Sequence, residues 1–254
     1  MSRTDTKTAQ NNSSQKPAIQ VSNLTVYRKN DCVLHDIHFT INQGSIVGII
    51  GPNGAGKSTL LNTLISLHPH QTGAIVINKS SPYCIAYVPQ RASIDWDFPV
   101  TVYEVVMMGR YPYIPFYKRP SKKDHALVAY ALEQVNMTHV QHKPIGELSG
   151  GQQQRVFFAR ALAQQASIYF LDEPFTGIDA PTENDLIHIL RNEKKEGKTV
   201  VMVHHDLTTA QAYFDTILVL NKKLLYYGTP KNIENNYAIT KAYGRQVLTC
   251  QYNI

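Results

Sequence analysis

The chain has 254 residues, a formal net charge of +6 and 43% hydrophobic residues. Such a length allows one large or two small domains, and the hydrophobic content suffices for a globular core, which excludes a chain dominated by disorder. The apolar runs are all broken well before the roughly 18 residues of a membrane-spanning helix, so the sequence predicts no such helix.

The first 18 residues are polar and lack the apolar segment of a signal peptide. We expect a disordered tail over residues 1–18 and the folded part of the chain after it. Cys32, Cys84 and Cys250 are far apart and odd in number, so neither a disulfide framework nor a zinc-finger spacing is visible. A reducing cytoplasm suits cysteines of this kind.

A phosphate-binding motif follows a short apolar run. Residues 44–50 are typical of a strand, and the spacing of residues 59–67 predicts a helix after the motif. The motif leaves backbone N–H groups free to surround phosphate oxygens, while Lys57 reaches the β and γ phosphates and Ser58 offers its hydroxyl to Mg²⁺. The G-x-x-x-x-G-K-[ST] pattern and the residue after it are Gly51, Pro52, Asn53, Gly54, Ala55, Gly56, Lys57, Ser58 and Thr59.

A second apolar run ends in two acids, Asp172 and Glu173. Strands of a parallel sheet are apolar because both faces are covered, and α/β folds keep their ligands at the carboxyl ends of such strands. We therefore expect Asp172 beside the phosphate loop, where it would hold Mg²⁺ together with Ser58. Glu173 is the candidate that orients or deprotonates the attacking water.

The C-terminal part carries weaker signals. Residues 216–220 and 224–228 are typical of two strands joined by the turn-prone residues 221–223. A short helix is expected over residues 233–244, and no separate regulatory domain is visible. The pattern therefore predicts that the core ends with a strand pair.

The segment Leu148, Ser149, Gly150, Gly151 and Gln152 resembles the signature sequence of the ATP-binding cassette (ABC) ATPases, and the likeness extends from about residue 19 to 246. The resemblance implies an α/β P-loop NTPase fold with a RecA-like core, an antiparallel β part and a helical insert over about 93–160. It implies a single nucleotide-binding domain over residues 19–250. In that family the signature completes the ATP site of a partner subunit, so two chains close on nucleotide.

The same resemblance assigns roles to further residues. Tyr27 matches the aromatic residue that stacks on adenine, and Gln90 matches the Q-loop glutamine that touches Mg²⁺ and the lytic water. His205 matches the switch histidine that contacts the γ-phosphate, which makes its neighbour His204 the bystander. Residues 177–179 occupy the D-loop position, although the family motif usually begins differently.

The stretch after Gln90, residues 91–102, resembles the Q-loop extension of cassettes that serve manganese, zinc and iron uptake, and residues 104–112 continue the likeness. In the family this segment faces a membrane subunit. Trp96 and Phe98 would then anchor a partner helix, or they would pack inside the helical insert, and the two interpretations can hold for different side chains.

The resemblance thus implies an ATP-hydrolysing subunit of an importer for manganese, zinc or iron, placed peripherally at the cytoplasmic face of the cell membrane. Its expected partners are a second nucleotide-binding subunit, taken as an identical chain, membrane-spanning permease subunits and, indirectly, an extracytoplasmic metal-binding protein. The expected ligands are ATP and Mg²⁺, without nucleic acid. The alternatives are a cassette for ferric siderophores, haem or cobalamin, and a soluble ABC ATPase acting on DNA or ribosomes.

Two further groups of residues predict no site of their own. The histidines lack a convincing spacing for a metal site, so apart from the Mg²⁺ of ATP we expect no metal on this chain. The basic cluster Lys118, Arg119, Lys122 and Lys123 lies in a Pro-rich loop that does not match an RNA-binding module. We interpret this loop as solvated.

Overall fold

A computed structural model describes residues 16–69, 72–78, 81–90, 96, 98–231 and 237–243 of the protein. Most of the expected tail over residues 1–18 lies outside this part of the chain. Its last three residues do not, and the first strand already begins at Pro17. Residues 91–95 and 97, which belong to the Q-loop extension, and Cys250 also lie outside the described residues.

The described residues form nine strands and seven α-helices. The strands are β1 Pro17–Arg28, β2 Asp31–Asn42, β3 Ile46–Ile50, β4 Thr72–Ile77, β5 Ile85–Val88, β6 Ile168–Asp172, β7 Thr199–His204, β8 Thr216–Asn221 and β9 Lys223–Gly228. The helices are α1 Lys57–Leu64, α2 Val102–Met108, α3 Lys122–Gln134, α4 Gly150–Gln164, α5 Ala180–Lys195, α6 Ala210–Tyr213 and α7 Tyr237–Tyr243.

Six strands form the central sheet in the order β5-β6-β7-β3-β8-β9. Neighbours pair in parallel from β5 to β8, and β9 pairs antiparallel with β8. Every residue of β3, β6 and β7 is buried, which explains why these strands read as continuous apolar runs. Because parallel strands end at one edge, the segments that follow β3, β6 and β7 meet there.

A second sheet, in the order β2-β1-β4, is antiparallel and comes from the N-terminal part of the chain. Its buried face includes Ile19, Leu24 and Leu34, which share one apolar cluster with Leu60 of α1 and Ile49 of β3. The sheet therefore packs against the helix that follows the phosphate loop. The antiparallel part expected near the N-terminus is present.

Helices α2, α3 and α4 lie in the range of the expected insert and pack on one another around residues such as Val106, Val128 and Phe158. Each begins with a capping box, in which a hydroxyl accepts from a backbone N–H three residues on and that residue's side chain accepts in return. The pairs are Thr101 with Glu104, Ser121 with Asp124, and Ser149 with Gln152. These local signals explain where the three helices start.

Two side chains after Gln90 have different surroundings. The ring of Trp96 lies edge-on to that of Phe157 in α4, with centroids 5.2 Å apart and planes at 70°. Phe98, by contrast, is 59% exposed. Trp96 therefore packs against the helical insert, whereas Phe98 is available to a partner.

The C-terminal elements follow the sequence pattern with small shifts. Strands β8 and β9 pair through a turn in which Lys222 has a φ of 56°. Helix α7 covers part of the range expected for a short helix, while residues 232–236 and 244 lie outside the described residues. Helix α1 begins and ends earlier than the expected range of 59–67, because the glycine loop leads directly into it at Lys57. Across the described ranges, every helix is too short or too polar to cross a membrane.

Helices α2 and α4 approach so closely at Gly109 that no side chain fits there. A Cβ on Gly109 would lie 2.2 Å from the carbonyl oxygen of Arg160. We predict that Gly109→Ala lowers the free energy of unfolding by about 1–3 kcal/mol, because overpacking forces the helices apart. Urea denaturation with an unchanged m-value measures the loss.

A larger residue serves as the graded comparison, and Gly109→Val should lose more stability than Gly109→Ala. Alanine normally stabilises a helical backbone relative to glycine by roughly 0.5–1 kcal/mol. A stabilised Gly109→Ala variant would therefore contradict the close approach of the two helices.

Candidate nucleotide-binding site

The phosphate loop owes its shape to glycines at two crowded positions. A Cβ on Gly51 would lie 2.2 Å from the carbonyl oxygen of Leu220, and one on Gly56 would lie 2.7 Å from Leu34 Cδ2. Gly56 also has a φ of 95°, in the left-handed region that favours glycine. Within the loop Asn53 and Gly54 are exposed, Pro52 is half-buried, and Ala55 and Thr59 are buried.

Lys57 lies at the start of α1 with its ammonium folded into the loop. Its Nζ donates to the carbonyl oxygens of Gly51 at 2.8 Å and Pro52 at 3.0 Å. Burial lowers the pKa of Lys57, and the nearby carboxylates of Glu173 and Asp172 oppose that shift. A buried ammonium at a helix N-terminus is suited to the anionic phosphates of ATP.

Ser58 and Asp172 come together at the carboxyl edge of the sheet. Ser58 Oγ donates to Asp172 Oδ1 at 3.1 Å, and Asp172 is only 3% exposed. Burial raises the pKa of Asp172, while the hydrogen bond from Ser58 and the charge of Lys57 act in the opposite direction. A buried carboxylate beside a hydroxyl is the oxygen donor set that Mg²⁺ prefers, so the residues fit this ion.

Glu173 lies directly after β6 in a left-handed conformation, with a φ of 49°. Its Oε2 accepts from Gln90 Nε2 at 3.3 Å and from Thr176 Oγ1 at 3.5 Å. This left-handed conformation is strained for a residue other than glycine. The structure thus brings Gln90 and Glu173 together, and it adds Thr176, which no sequence motif had indicated.

The two histidines at the end of β7 lie in opposite environments. His204 is 4% exposed and shares a hydrogen bond of 2.7 Å with Thr209 Oγ, among the rings of Phe175 and Phe214. Burial lowers the pKa of His204 to about 4. His205 is exposed at the same edge. His205 is therefore the histidine of this pair that a ligand can reach.

Tyr27 lies at the end of β1, 41% exposed, and pairs with Cys32 across the hairpin. The same hairpin approaches the phosphate loop, because a Cβ on Gly56 would also lie 3.2 Å from the carbonyl oxygen of Val33. Arg28, the next residue, contacts His68 Nε2 at 2.9 Å. The hairpin thus presents an accessible aromatic ring on the side of the loop.

The start of α4 carries the five signature residues Leu148, Ser149, Gly150, Gly151 and Gln152. Ser149 is exposed and accepts from Gln152 N, while Gln152 Oε1 accepts from Ser149 N at 3.0 Å. A Cβ on Gly151 would lie 3.4 Å from the carbonyl oxygen of Gly177. The signature therefore touches the D-loop position of its own chain.

The turn between β8 and β9 supports the phosphate loop, a contact that sequence reasoning missed. Lys222 N donates to the carbonyl oxygen of Ala55 at 2.9 Å, and His35 N donates to that of Lys222 at 2.8 Å. Asn221 Nδ2 in turn donates to the carbonyl oxygen of Ala242 in α7 at 3.1 Å. Backbone contacts between distant segments leave no residue-type signal, so no motif could have indicated them.

Comparison with known proteins places the chain among transport cassettes. A family model described as ABC transporter matches residues 34–176. The manganese transport system ATP-binding protein MntB of Halalkalibacterium halodurans is 45% identical over 236 residues, which cover 92% of this chain and 94% of that protein. The zinc transport system ATP-binding protein TroB of Treponema pallidum is 44% identical over 235 residues, covering 91% and 88%.

A solved ABC transporter in an inward-facing conformation superposes with a TM-score of 0.80 at 29% identity, covering 90% of this chain and 89% of that one. The predicted α/β P-loop NTPase fold is thereby confirmed.

The burial of His204 predicts a pH-dependent stability. An unfolded histidine has a pKa near 6.5, whereas the pKa in the folded chain is about 4. Between these values the unfolded chain binds more protons, so the free energy of unfolding decreases as the pH falls from about 6.5 to about 4. Over this pH range the free energy of unfolding of His204→Gln should fall by on the order of 2 kcal/mol less than that of wild type.

Urea denaturation of both proteins across this pH range measures the difference. The matched control is His139→Gln, which changes an exposed histidine and should leave the decrease intact. An identical pH dependence of wild type and His204→Gln would show that His204 titrates normally in the folded protein.

Proposed function

The chain belongs to the ABC transporter family and is an ATP-hydrolysing cassette of that family, and we propose that it drives the import of a divalent metal ion. The observation that carries this proposal is the 45% identity to a manganese transport ATP-binding protein over nearly the whole chain. A zinc transport relative at 44% identity supports the same class of cargo. Manganese and zinc are therefore the first candidates, and iron is the third.

The residues at the sheet edge support specific roles in binding ATP. The backbone N–H groups of the loop, which all its residues except Pro52 possess, surround the phosphates. Lys57 exchanges the carbonyl oxygens of Gly51 and Pro52 for phosphate oxygens. Ser58 and Asp172 would hold Mg²⁺, which would neutralise charge on the phosphates when bound. Tyr27 stacks on adenine, since its exposed ring offers a face without requiring a base-specific hydrogen bond.

Glu173 is the proposed general base, and Gln90 and His205 complete the catalytic group. Glu173 is held by Gln90 and Thr176 through one carboxylate oxygen, so the other oxygen can accept the proton of the attacking water. His205 is exposed at the same edge and donates to the γ-phosphate. Gln90 links this group to the segment that faces a partner.

A second cassette, proposed to be an identical chain, completes the site. The exposed N-terminus of α4, with Ser149 and two glycines, presents N–H donors and a partial positive charge to the γ-phosphate on the other chain. ATP then holds the two chains together, and hydrolysis removes that contact. We propose that residues 19–250 form the single domain that binds ATP and associates with the second chain.

We propose that the closing and opening of the two cassettes moves separate membrane-spanning permease subunits. The chain contacts these subunits at the cytoplasmic face of the membrane. The exposed ring of Phe98 supports a contact with such a partner, because large apolar side chains anchor interfaces. An extracytoplasmic metal-binding protein would deliver the cargo to these subunits. We propose no nucleic acid as a partner of the chain. Among the described residues, no group of His, Cys, Asp and Glu is arranged to hold the cargo metal.

If the signature of a second chain completes the ATP site, a variant that binds ATP but hydrolyses it slowly should accumulate as a dimer. Glu173→Gln should still bind ATP but hydrolyse it about 10²–10⁴-fold more slowly, because the general base is lost. The variant should therefore accumulate as a dimer with ATP, measured by size-exclusion chromatography with light scattering.

The double variant Glu173→Gln/Ser149→Arg is the matched control, since arginine at the start of α4 blocks the partner's γ-phosphate. It should remain monomeric with ATP. A Glu173→Gln variant that stays monomeric and turns over normally would remove Glu173 from the proposed role.

If the cargo is a divalent metal ion, cells that lack this chain should be deficient in that metal. Deletion of the gene should lower cellular manganese or zinc under metal-limited growth, and wild type should restore it. Lys57→Ala should not restore it, because the phosphates lose their buried cation. Elemental analysis of the cells measures all three candidate metals at once.

Unchanged manganese, zinc and iron would overturn the divalent-metal proposal and favour a chelate or cobalamin importer. Immunoblotting of the complementing proteins is the control that separates loss of ATP binding from loss of the chain.

A further inference from the structure

The loop between α2 and α3 displays aromatic rings without covering them. We call residues 111–123 the aromatic–basic loop; this segment includes the first two residues of α3. Phe116 is fully exposed, Tyr117 is 71% exposed and Tyr111 is 52% exposed. Neighbouring rings of Phe116 and Tyr117 lie edge-on, with centroids 5.3 Å apart. Large side chains that are exposed together in this way mark a contact surface.

The loop also carries an unbalanced positive charge. Its four cations are all exposed, and the sequence between Glu104 and Asp124 contains no acid. Asp124 itself is buried, and its oxygens accept from Arg110 Nε at 3.0 Å and from Ser121 Oγ at 2.6 Å. No carboxylate of this stretch therefore compensates the exposed cations, which are Lys118, Arg119, Lys122 and Lys123.

The base of the loop is held firmly, so its exposed tip does not reflect a failure to pack. Arg110 donates to Asp124 and to the carbonyl oxygen of Ala163 at 3.0 Å, and its guanidinium lies 4.4 Å from the ring centre of Tyr113. Tyr113 Oη donates to the carbonyl oxygen of Tyr83 at 3.1 Å. The loop thus rests on α4 and on the segment before β5.

This anchor lies far from the signature at the start of α4. Arg110 binds the C-terminal end of α4, whereas Ser149 caps its N-terminus, and a helix of that length separates the two ends by about 20 Å. We expect changes at the exposed tip of the loop to leave ATP hydrolysis intact.

From these observations we propose that the aromatic–basic loop binds the surface of an anionic phospholipid bilayer. Lysine and arginine attract acidic headgroups, and amphipathic aromatic rings settle at the boundary between headgroups and acyl chains. A protein partner of the same charge complementarity would need an acidic surface shaped to fit the loop. A bilayer needs no such shape, because exposed cations and rings can contact it directly. The inference rests on the proposed function, in which the chain works beside a membrane.

Vesicle flotation of the purified full-length chain tests the proposal without ATP or permease. The chain should float with vesicles that contain phosphatidylglycerol and not with vesicles of phosphatidylcholine alone, and raised salt should release it. Each lysine near an anionic surface strengthens binding about fivefold, so Lys118→Gln/Lys122→Gln should weaken it about 25-fold. Phe116→Ala should weaken it about tenfold.

Matched controls change the same residue types elsewhere. Lys223→Gln/Lys231→Gln removes two exposed lysines outside the loop, and Leu67→Ala removes an apolar side chain that is 61% exposed. Both should float like wild type. Equal flotation with the two kinds of vesicle, or equal losses in the control and loop variants, would overturn the proposal.

ATP hydrolysis by the same preparations separates this inference from the proposed function. Flotation without hydrolysis would refute the proposed function alone, and hydrolysis without flotation would refute the lipid contact alone. A third outcome is that wild type does not float and the loop variants nevertheless fail to restore cellular metal. The loop would then bind a protein partner, and the lipid proposal would be overturned.

Discussion

The buried charges of Lys57 and Asp172 at the carboxyl edge of the parallel sheet are the constraint on which the rest of the structure depends. Burial lowers the pKa of the ammonium and raises that of the carboxylate, so neither charge is fully compensated by the other. A ligand that brings an anion to Lys57 and a cation to Asp172 relieves both at once. The magnesium complex of a nucleoside triphosphate has this composition. The order β6-β7-β3 explains how the two residues meet, since their segments leave the sheet on the same side.

Such a site requires a loop that approaches its supports closely. Gly51 lies against the carbonyl oxygen of Leu220, and the backbone of Lys222 binds that of Ala55. The loop is thus held between the β1–β2 hairpin and the β8–β9 turn, elements that are almost two hundred residues apart in the chain. Because α7 is tied to the same turn through Asn221, the C-terminal part of the described chain also supports the phosphate site.

The sequence predicts the strand–loop–helix unit, the acids after β6 and the strand pair near the C-terminus because each carries a local pattern of apolar spacing and turn residues. Element ends were less accurate, as for α1, where the helix starts within the glycine motif. Thr176 and the β8–β9 turn were missed because their roles arise from contacts between distant segments. The sequence pattern around Lys118 predicts only a solvated loop, because charge alone does not reveal that the neighbouring Phe116 is fully exposed. Burial also distinguishes Trp96 from Phe98, which the pattern of aromatic residues could not do.

Helix α4 connects these surfaces mechanically. Its N-terminus carries the signature against Gly177, and its C-terminal half is bound to β5, where Arg160 donates to the carbonyl oxygen of Tyr87 at 2.8 Å and Gln164 to that of Ile85 at 2.6 Å. Strand β5 leads within two residues to Gln90, which in turn binds Glu173. If a partner's nucleotide displaces the signature as proposed, α4 must shift β5 with it or break these bonds. Glu173, the proposed general base, is therefore linked through Gln90 and β5 to the helix whose start is proposed to meet a second subunit.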